Sequence, residues 1–173
     1  TGTSFTTGII TGATTYYVGT CPGTYKIPVL VSTYPQPTIT VNSGTICSGS
    51  SFTIAPSGAN SYTIQGGSAI VSPTANVSYT VVGSSSLGCL SANSATSNIL
   101  VNANPTVNAV SSLSLICVGQ TASLTASGAS TYTWNTTATT AVIAVSPTIN
   151  TTYTVIGTDA NGCENMAVIT QSV

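Results

Sequence analysis

Residues 73–89 read PTANVSYTVVGSSSLGC and residues 147–163 read PTINTTYTVIGTDANGC. A chain that spells one segment twice must fold it twice, so the repeat limits the architecture more than any single residue does. The match extends upstream. TICSGSSFTI (Thr45 to Ile54) corresponds to LICVGQTASL (Leu115 to Leu124), and SYTI (Ser61 to Ile64) to TYTW (Thr131 to Trp134), both 70 positions apart. After an insertion in the later copy the offset becomes 74, and Pro37 and Pro105 stand near the two starts. The expected units are 35–103 and 104–173. A third, truncated copy occupies residues 1–34, where Tyr16, Val18, Gly19 and Cys21 take the places of Tyr79, Val81, Gly83 and Cys89. Several strands per copy at such a period exceed a solenoid repeat and suit a row of small sandwich domains. The junctions YPQP (Tyr34 to Pro37) and ANP (Ala103 to Pro105) are short and proline-bearing, which favours a stiff rod. Residues 1–34 lack about half a sandwich. The chain is therefore expected to be cut from a longer polypeptide that supplies the missing strands upstream. Should Thr1 be a native N-terminus, another subunit must add them.

The fold class expected is all-β: tandem small immunoglobulin-like β-sandwiches, the first incomplete. TITV, SFTI, SYTI, SAIV, SYTVVG and SNILV mark strands of the middle copy by period-two alternation, and no helical periodicity competes. A weak extra strand would bring the unit to about seven. Ser, Thr and Gly richness normally signals disorder, but hydrophobic residues reach 42%. In the last copy Leu124, Trp134, Ile143, Val145, Tyr153, Val155 and Val168 are expected to face the core. Trp134 follows Cys117 by 17 positions, a cysteine-then-aromatic spacing also met in immunoglobulin sandwiches. Units this small bury little core, so cross-links or neighbour contacts would help them.

The combined pattern is Cys117, Gly119, Leu124, Gly128, Tyr132 and Trp134, then Pro147, Tyr153, Val155, Gly157, Asp159, Asn161, Gly162 and Cys163. It resembles the immunoglobulin-like or PKD-like repeats of very large Bacteroidota cell-surface proteins, such as gliding-motility adhesins of the SprB type. The middle copy departs from it at Ile64, in place of Trp, and at Ser85-Ser86-Leu87, in place of Asp-Ala-Asn. The resemblance implies export by the type IX route and a place on the cell surface or in an extracellular fibre. It implies no activity, because such modules space apart many different functional domains.

Chemistry is scarce. Only Lys26, Asp159 and Glu164 are charged, 2% of the chain against roughly 25% in ordinary domains, and histidine is absent. Nucleic acid requires clustered Lys and Arg, so no nucleic-acid partner is expected. Apolar runs such as IPVLV (Ile27 to Val31) fall far short of the ~20 residues that cross a bilayer, so no membrane insertion is expected. Acid–base catalysis needs a histidine or paired carboxylates of tuned pKa, and no serine or threonine has an obvious base, so no enzyme and no cofactor are expected. Asp159 and Glu164 fall in one predicted turn. A solvated hairpin tip is the plain reading, and a weak calcium site the sharper one. Lys26 reads as an edge charge against mispairing. Tyr62, Tyr79, Tyr132 and Tyr153 recur with the repeat and are assigned to packing. Tyr16, Tyr17 and Tyr34 are less regular and keep a carbohydrate-binding module open as an alternative, which would show a row of exposed aromatics. Asn76, Asn135 and Asn150 head N-glycosylation triplets, a weak signal in a bacterial protein.

Five cysteines remain, with no histidine and no CxxC spacing, so no metal site is expected. In an exported protein they should form disulfides. The expected pairing lies within copies, Cys47 with Cys89 and Cys117 with Cys163, leaving Cys21 unpaired here or paired outside the segment. Closing such loops would add roughly 3–4 kcal/mol per copy. The alternative is Cys47 with Cys163, since the first cysteine and the final hairpin should lie at opposite ends of a sandwich. Together these readings describe an extracellular structural or adhesive segment forming a stalk or fibre. Its partners would be other copies of itself, with surface glycans as a further candidate. A spacer in a secreted hydrolase is the other alternative. Near-zero net charge removes the repulsion that keeps proteins apart.

Overall fold

The computed structural model describes residues 6–19 and 26–173. Period-two patterning there becomes sixteen strands, with no helix among the described residues. The architecture is an all-β, immunoglobulin-like β-sandwich. The chain gathers into two compact units. One holds the described residues up to Thr40 with Pro56–Thr63 and Val81–Ala95, and the other holds Val41–Ala55, Ile64–Thr80 and Thr96–Val173.

In the first unit, β1 (Thr14–Gly19) and β2 (Lys26–Val31) form an antiparallel hairpin running from Thr14 opposite Val31 to Gly19 opposite Lys26. Among the described residues its sheet has two strands. Tyr17, Val18, Ile27 and Leu30 are all exposed, so neighbouring positions of both strands leave apolar surface in water.

The middle copy contributes β3 (Thr40–Val41), β4 (Gly44–Cys47), β5 (Phe52–Thr53), β6 (Pro56–Ser57), β7 (Ser61–Ile64), β8 (Ile70–Val71), β9 (Val77–Ser84) and β10 (Ala95–Asn102). Their order is β4-β10-β9-β7 in one sheet, with β3-β6 and β5-β8 as short pairs. Strand β4 escaped the sequence reading because TIC is too short to alternate. It pairs parallel to β10, Gly44 opposite Ile99 and Cys47 opposite Asn102.

The last copy, within the second unit, contributes β11 (Asn108–Ser111), β12 (Ala122–Ser127), β13 (Thr131–Trp134), β14 (Val142–Val145), β15 (Thr151–Thr158) and β16 (Glu164–Gln171). The sheets are β11-β12-β14 and β13-β15-β16. In immunoglobulin lettering these are A-B-E and C-F-G, the two layers of that sandwich with the D strand missing. Leu124, Trp134, Ile143, Val145, Tyr153 and Val155 form the buried core between them, as the alternation predicts. Burying side chains of this size stabilises by about 1.5–3 kcal/mol each. The indole Nε1 of Trp134 donates to the Thr140 carbonyl at 3.0 Å, so its polar edge is satisfied.

Val168 is the exception, 56% exposed. In AVIT both strand phases carry apolar residues. The phase actually adopted turns Ala167, Ile169 and Gln171 inward, and Val168 outward opposite Thr154.

In the middle and last copies the first strand changes sheets. Strand β3 pairs with β6 before β4 joins β10. Strand β11 pairs with β12 before Leu115 bridges Ser172 in parallel. A polar clamp holds each crossing. In the last copy it is Gln171, fully buried, with Oε1 accepting from Ser111 Oγ and Nε2 donating to the carbonyls of Leu113 (3.0 Å) and Ser172 (3.1 Å). In the middle copy the buried Ser97 hydroxyl donates to the Asn42 carbonyl at 2.7 Å. The Asn42 side chain ties across to Thr53 and Ala55.

A second device repeats at the turn before the third strand of the sandwich. Gly128 adopts φ +93°, and a Cβ there would collide with the Thr106 carbonyl; Gly58 meets Thr38 in the same way. Beside each glycine a tyrosine hydroxyl closes the turn. Tyr132 donates to the Ala129 carbonyl (2.8 Å) and accepts from its amide (3.0 Å). Tyr62 does the same with Ala59.

Candidate functional site

Between β15 and β16 the chain turns at DANGC. The Asp159 amide donates to the Cys163 carbonyl at 2.9 Å, and Gly162 takes φ +81° to close the turn. Carboxylate Oδ1 of Asp159 accepts from the amides of Asn161 and Cys163, both at 2.8 Å. The turn between β9 and β10 is built alike. The Ser85 amide donates to the Cys89 carbonyl, and Ser85 Oγ accepts from the amides of Leu87 (3.3 Å) and Cys89 (3.1 Å). Each turn thus holds up one cysteine by its backbone. At the other cysteine position, the Ser50 amide donates to the Cys47 carbonyl, and the Gln120 amide to the Cys117 carbonyl.

Cys47 and Cys163 are disulfide-bonded, with Cα atoms 5.5 Å apart. Cys163 is fully buried. Cys89 is free and half-buried, and Cys117 is free and exposed. This corrects the expected pairings of Cys47 with Cys89 and of Cys117 with Cys163, and selects the alternative. The reason is strand length. Ile116 donates its amide to Ser172, just past the end of β16, whereas Cys163 immediately precedes the start of that eight-residue strand. At about 3.3 Å per residue the two ends lie ~25 Å apart. A disulfide needs Cα atoms within about 7 Å. In the middle copy Cys47 likewise lies opposite Asn102, the last residue of β10. Cys89 falls in the other compact unit. Cys21 lies outside the described residues.

The other singled-out residues take structural places. Asp159 spends one carboxylate oxygen on its own turn, and Glu164 accepts from the Thr158 hydroxyl at 3.4 Å. Among the described residues no group of three His, Cys, Asp or Glu is poised for a metal. Tyr153 is buried, and Tyr62, Tyr79 and Tyr132 are half-buried. Of the irregular tyrosines, Tyr17 and Tyr34 are exposed, one on β1 and one outside any strand, so they make no row on a sheet face. Lys26 opens β2 and is exposed. Asn76 and Asn150 use their side-chain oxygens to accept from the amides of Val101 (2.7 Å) and Val173 (2.9 Å), pinning corresponding turns to corresponding strand ends. Asn135 donates to the Thr152 carbonyl.

One feature had no sequence signal strong enough to find it. An open cavity of about 710 Å³ lies at the Cys117 end of the last copy, lined by Leu115, Ile116, Cys117, Val118, Ile149 and Val173 among others. Leu115, Val118 and Ile149 are 65%, 70% and 72% exposed. Its walls come from a loop, a turn and the terminal strand end, which only the fold brings together.

No family model matches the chain, and no curated protein does. Among solved structures, an amphioxus IgVJ-C2 molecule is 14% identical over 75% of this chain and 99% of that one, at a TM-score of 0.36. The N-terminal four Ig domains of Dscam1 isoform 6.9 give 12% identity, covering 84% and 50%, at 0.35. Extracellular cadherin domains 1–4 of protocadherin gamma B7 give 11%, covering 86% and 54%, at 0.28. The chain spans about half the length of the latter two. The immunoglobulin-like assignment rests on this chain's own strand order. The class it defines is an immunoglobulin-like β-sandwich protein with a disulfide between Cys47 and Cys163.

Proposed function

We propose that the chain is a structural or adhesive segment of an extracellular repeat protein, built of units 1–34, 35–103 and 104–173, whose work is to form a surface stalk or fibre. The observation that carries the reading is the Cys47–Cys163 disulfide. A bond from the first cysteine of one copy to the hairpin cysteine of the next transmits load between copies and does nothing for catalysis. A disulfide also favours an oxidising, extracellular setting. The resemblance to Bacteroidota surface repeats agrees with that setting and adds the type IX export route to the proposal. With one Lys, one Asp and one Glu, association between copies has few charges to screen. Electron microscopy of native material should show fibres or stalks whose abundance changes little with salt. Dispersed monomers at micromolar concentration, free of glycans, would reduce the role to that of a spacer.

A further inference from the structure

We infer that the Cys47–Cys163 disulfide is a mechanical bypass with a length reserve behind it. With the bond closed, tension along the chain crosses from β4 directly to β16, and residues 48–162 stay folded and unloaded. Opening the bond puts them on the load path. The inference rests on the load-bearing reading above and adds its regulation, by thiol reduction.

The route follows from covalent order. Cys47 closes β4, and Cys163 immediately precedes β16. Their bond spans a sequence separation of 116, with the Cα atoms 5.5 Å apart. A pull that reaches Cys47 through β4 therefore leaves through Cys163, and β5 to β15 form a closed loop beside the path. That loop holds most of the last copy's core, including Leu124, Trp134, Ile143 and Val155. The bypass is set by bonds inside the chain and does not depend on what is attached at either side.

The strand that takes the load is already straight. β16 keeps an antiparallel register with β15 along its whole length, from Glu164 opposite Thr158 to Gln171 opposite Thr151. A strand rises about 3.3 Å per residue, and a chain cannot exceed about 3.6 Å per residue. Tension between Cys163 and the end of β16 thus lengthens this stretch by only ~3 Å, less than one residue step, and leaves its pairing intact. The anchor itself is firm. Cys163 is fully buried, its amide donates to Asp159 Oδ1 at 2.8 Å, and its carbonyl accepts from the Asp159 amide at 2.9 Å.

With the bond open, the same tension must cross both sandwiches. It enters β4 at Gly44 and leaves β10 at Asn102. These strands are parallel, with Gly44 opposite Ile99 and Cys47 opposite Asn102, so those are opposite ends of one pair and the pair is sheared. In the last copy the corresponding parallel contact is the bridge of Leu115 with Ser172, beside the Ile116 amide that donates to the Ser172 carbonyl. Once both contacts give, ~400 Å of chain is freed. The bond opens by exchange. A small thiolate attacks the sulfur of Cys47, which is half-buried where Cys163 is fully buried, and the Cys163 thiolate leaves. A second small thiolate then displaces Cys47 from the mixed disulfide. Two small thiols are thereby oxidised to one disulfide as the protein disulfide is reduced to two thiols.

The test pulls single molecules of the 173-residue chain by handles at its two ends, with and without dithiothreitol. Full extension should be ~200 Å with the bond closed and ~590 Å after reduction, about a threefold change. C47S should reach the longer value without reductant. Bonds within copies, Cys47 to Cys89 and Cys117 to Cys163, would instead stop the chain at ~300 Å and overturn the inference. The folded state behind the bond is read at constant force, set where reduced molecules open over seconds. Reductant added to a closed molecule should then release the reserve in delayed steps of ~200 Å, one per sandwich. A single ~400 Å jump at bond cleavage would show residues 48–162 already unfolded and sink the bypass. Fibres built from chains that reach ~590 Å without reductant would also sink it, while leaving the structural role standing. Chains that stop at ~200 Å and release in steps, yet form no fibres, would uphold the bypass and sink the fibre.

Discussion

Gln171 is the one long polar side chain buried completely in the last copy, and replacing it with leucine tests how the first strand is held. Leucine has nearly the same volume and no polar atom, so the change removes three hydrogen bonds while leaving the packing filled. The carbonyls of Leu113 and Ser172 and the hydroxyl of Ser111 each lose a partner. All three have a fallback, because the Ser111 hydroxyl also donates to the Leu113 carbonyl at 2.9 Å, and the Ser172 carbonyl already accepts from Ile116. At a net 0.5–1.5 kcal/mol per bond, and with this compensation, the expected loss is about 1–3 kcal/mol. For a urea slope of about 2 kcal/mol per molar, the unfolding midpoint should fall by roughly 0.5–1.5 M at constant slope.

The middle copy supplies a built-in comparison. Ile99 occupies the corresponding register position and is buried, yet its strand crossing is held instead by Ser97 bonding to Asn42. At those two clamp positions the last copy has Ile169 and Ser112. Gln171→Ile therefore brings in the middle copy's residue without its clamp and should cost as much as Gln171→Leu. The neighbouring Thr170→Ala, which loses only an exposed hydroxyl pair with Thr152, should stay within about 0.5 kcal/mol. A Gln171→Leu variant no less stable than Thr170→Ala would refute the argument, and would mean the crossing is held by packing alone.

Gly128→Ala combines a left-handed backbone with a collision at the Thr106 carbonyl and should lose at least about 2 kcal/mol in thermal unfolding. Tyr132→Phe removes both bonds to Ala129 and should cost about 1–2 kcal/mol in the same measurement. Reducing Cys47–Cys163 opens a cross-link between residues 116 positions apart, worth about 4–5 kcal/mol in the chain-entropy model. Urea unfolding with and without reductant should differ accordingly, and Cys47→Ser should abolish the difference.

The fold was legible where alternation was strong and one-sided. In β12, ASLTAS reads buried, exposed, buried along its length with few interruptions, and β13 to β15 behave the same way. It was illegible where length or phase failed. Strand β4 has four residues and finds its partner in β10, more than fifty positions downstream, so nothing local marks it. Val168 sits in a run apolar on both faces, and its phase is fixed by Gln171, which turns inward to meet the first strand. A glutamine reads as solvent-facing until the crossing strand that satisfies it is known. Burial of Gln171 follows from topology, and topology is what periodicity does not contain.

The cysteines failed for a related reason, and the failure is instructive about connectivity. Two per copy invites pairing within the copy, yet the length of one strand forbids it. In the last copy the first cysteine lies beside the end of the final strand, and the second lies at that strand's beginning. Its eight-residue final strand therefore holds Cys117 and Cys163 ~25 Å apart, whatever its other residues are. Such cysteines are connectors by construction. Each can be bonded only to a cysteine docked at its own end of the sandwich. In this chain the successive copies satisfy one such joint, Cys47 to Cys163. The thiols of Cys89 and Cys117 are then what the same rule leaves over at the remaining hairpin turn and the remaining first-cysteine position. A layout that closed loops within copies would leave no such ends.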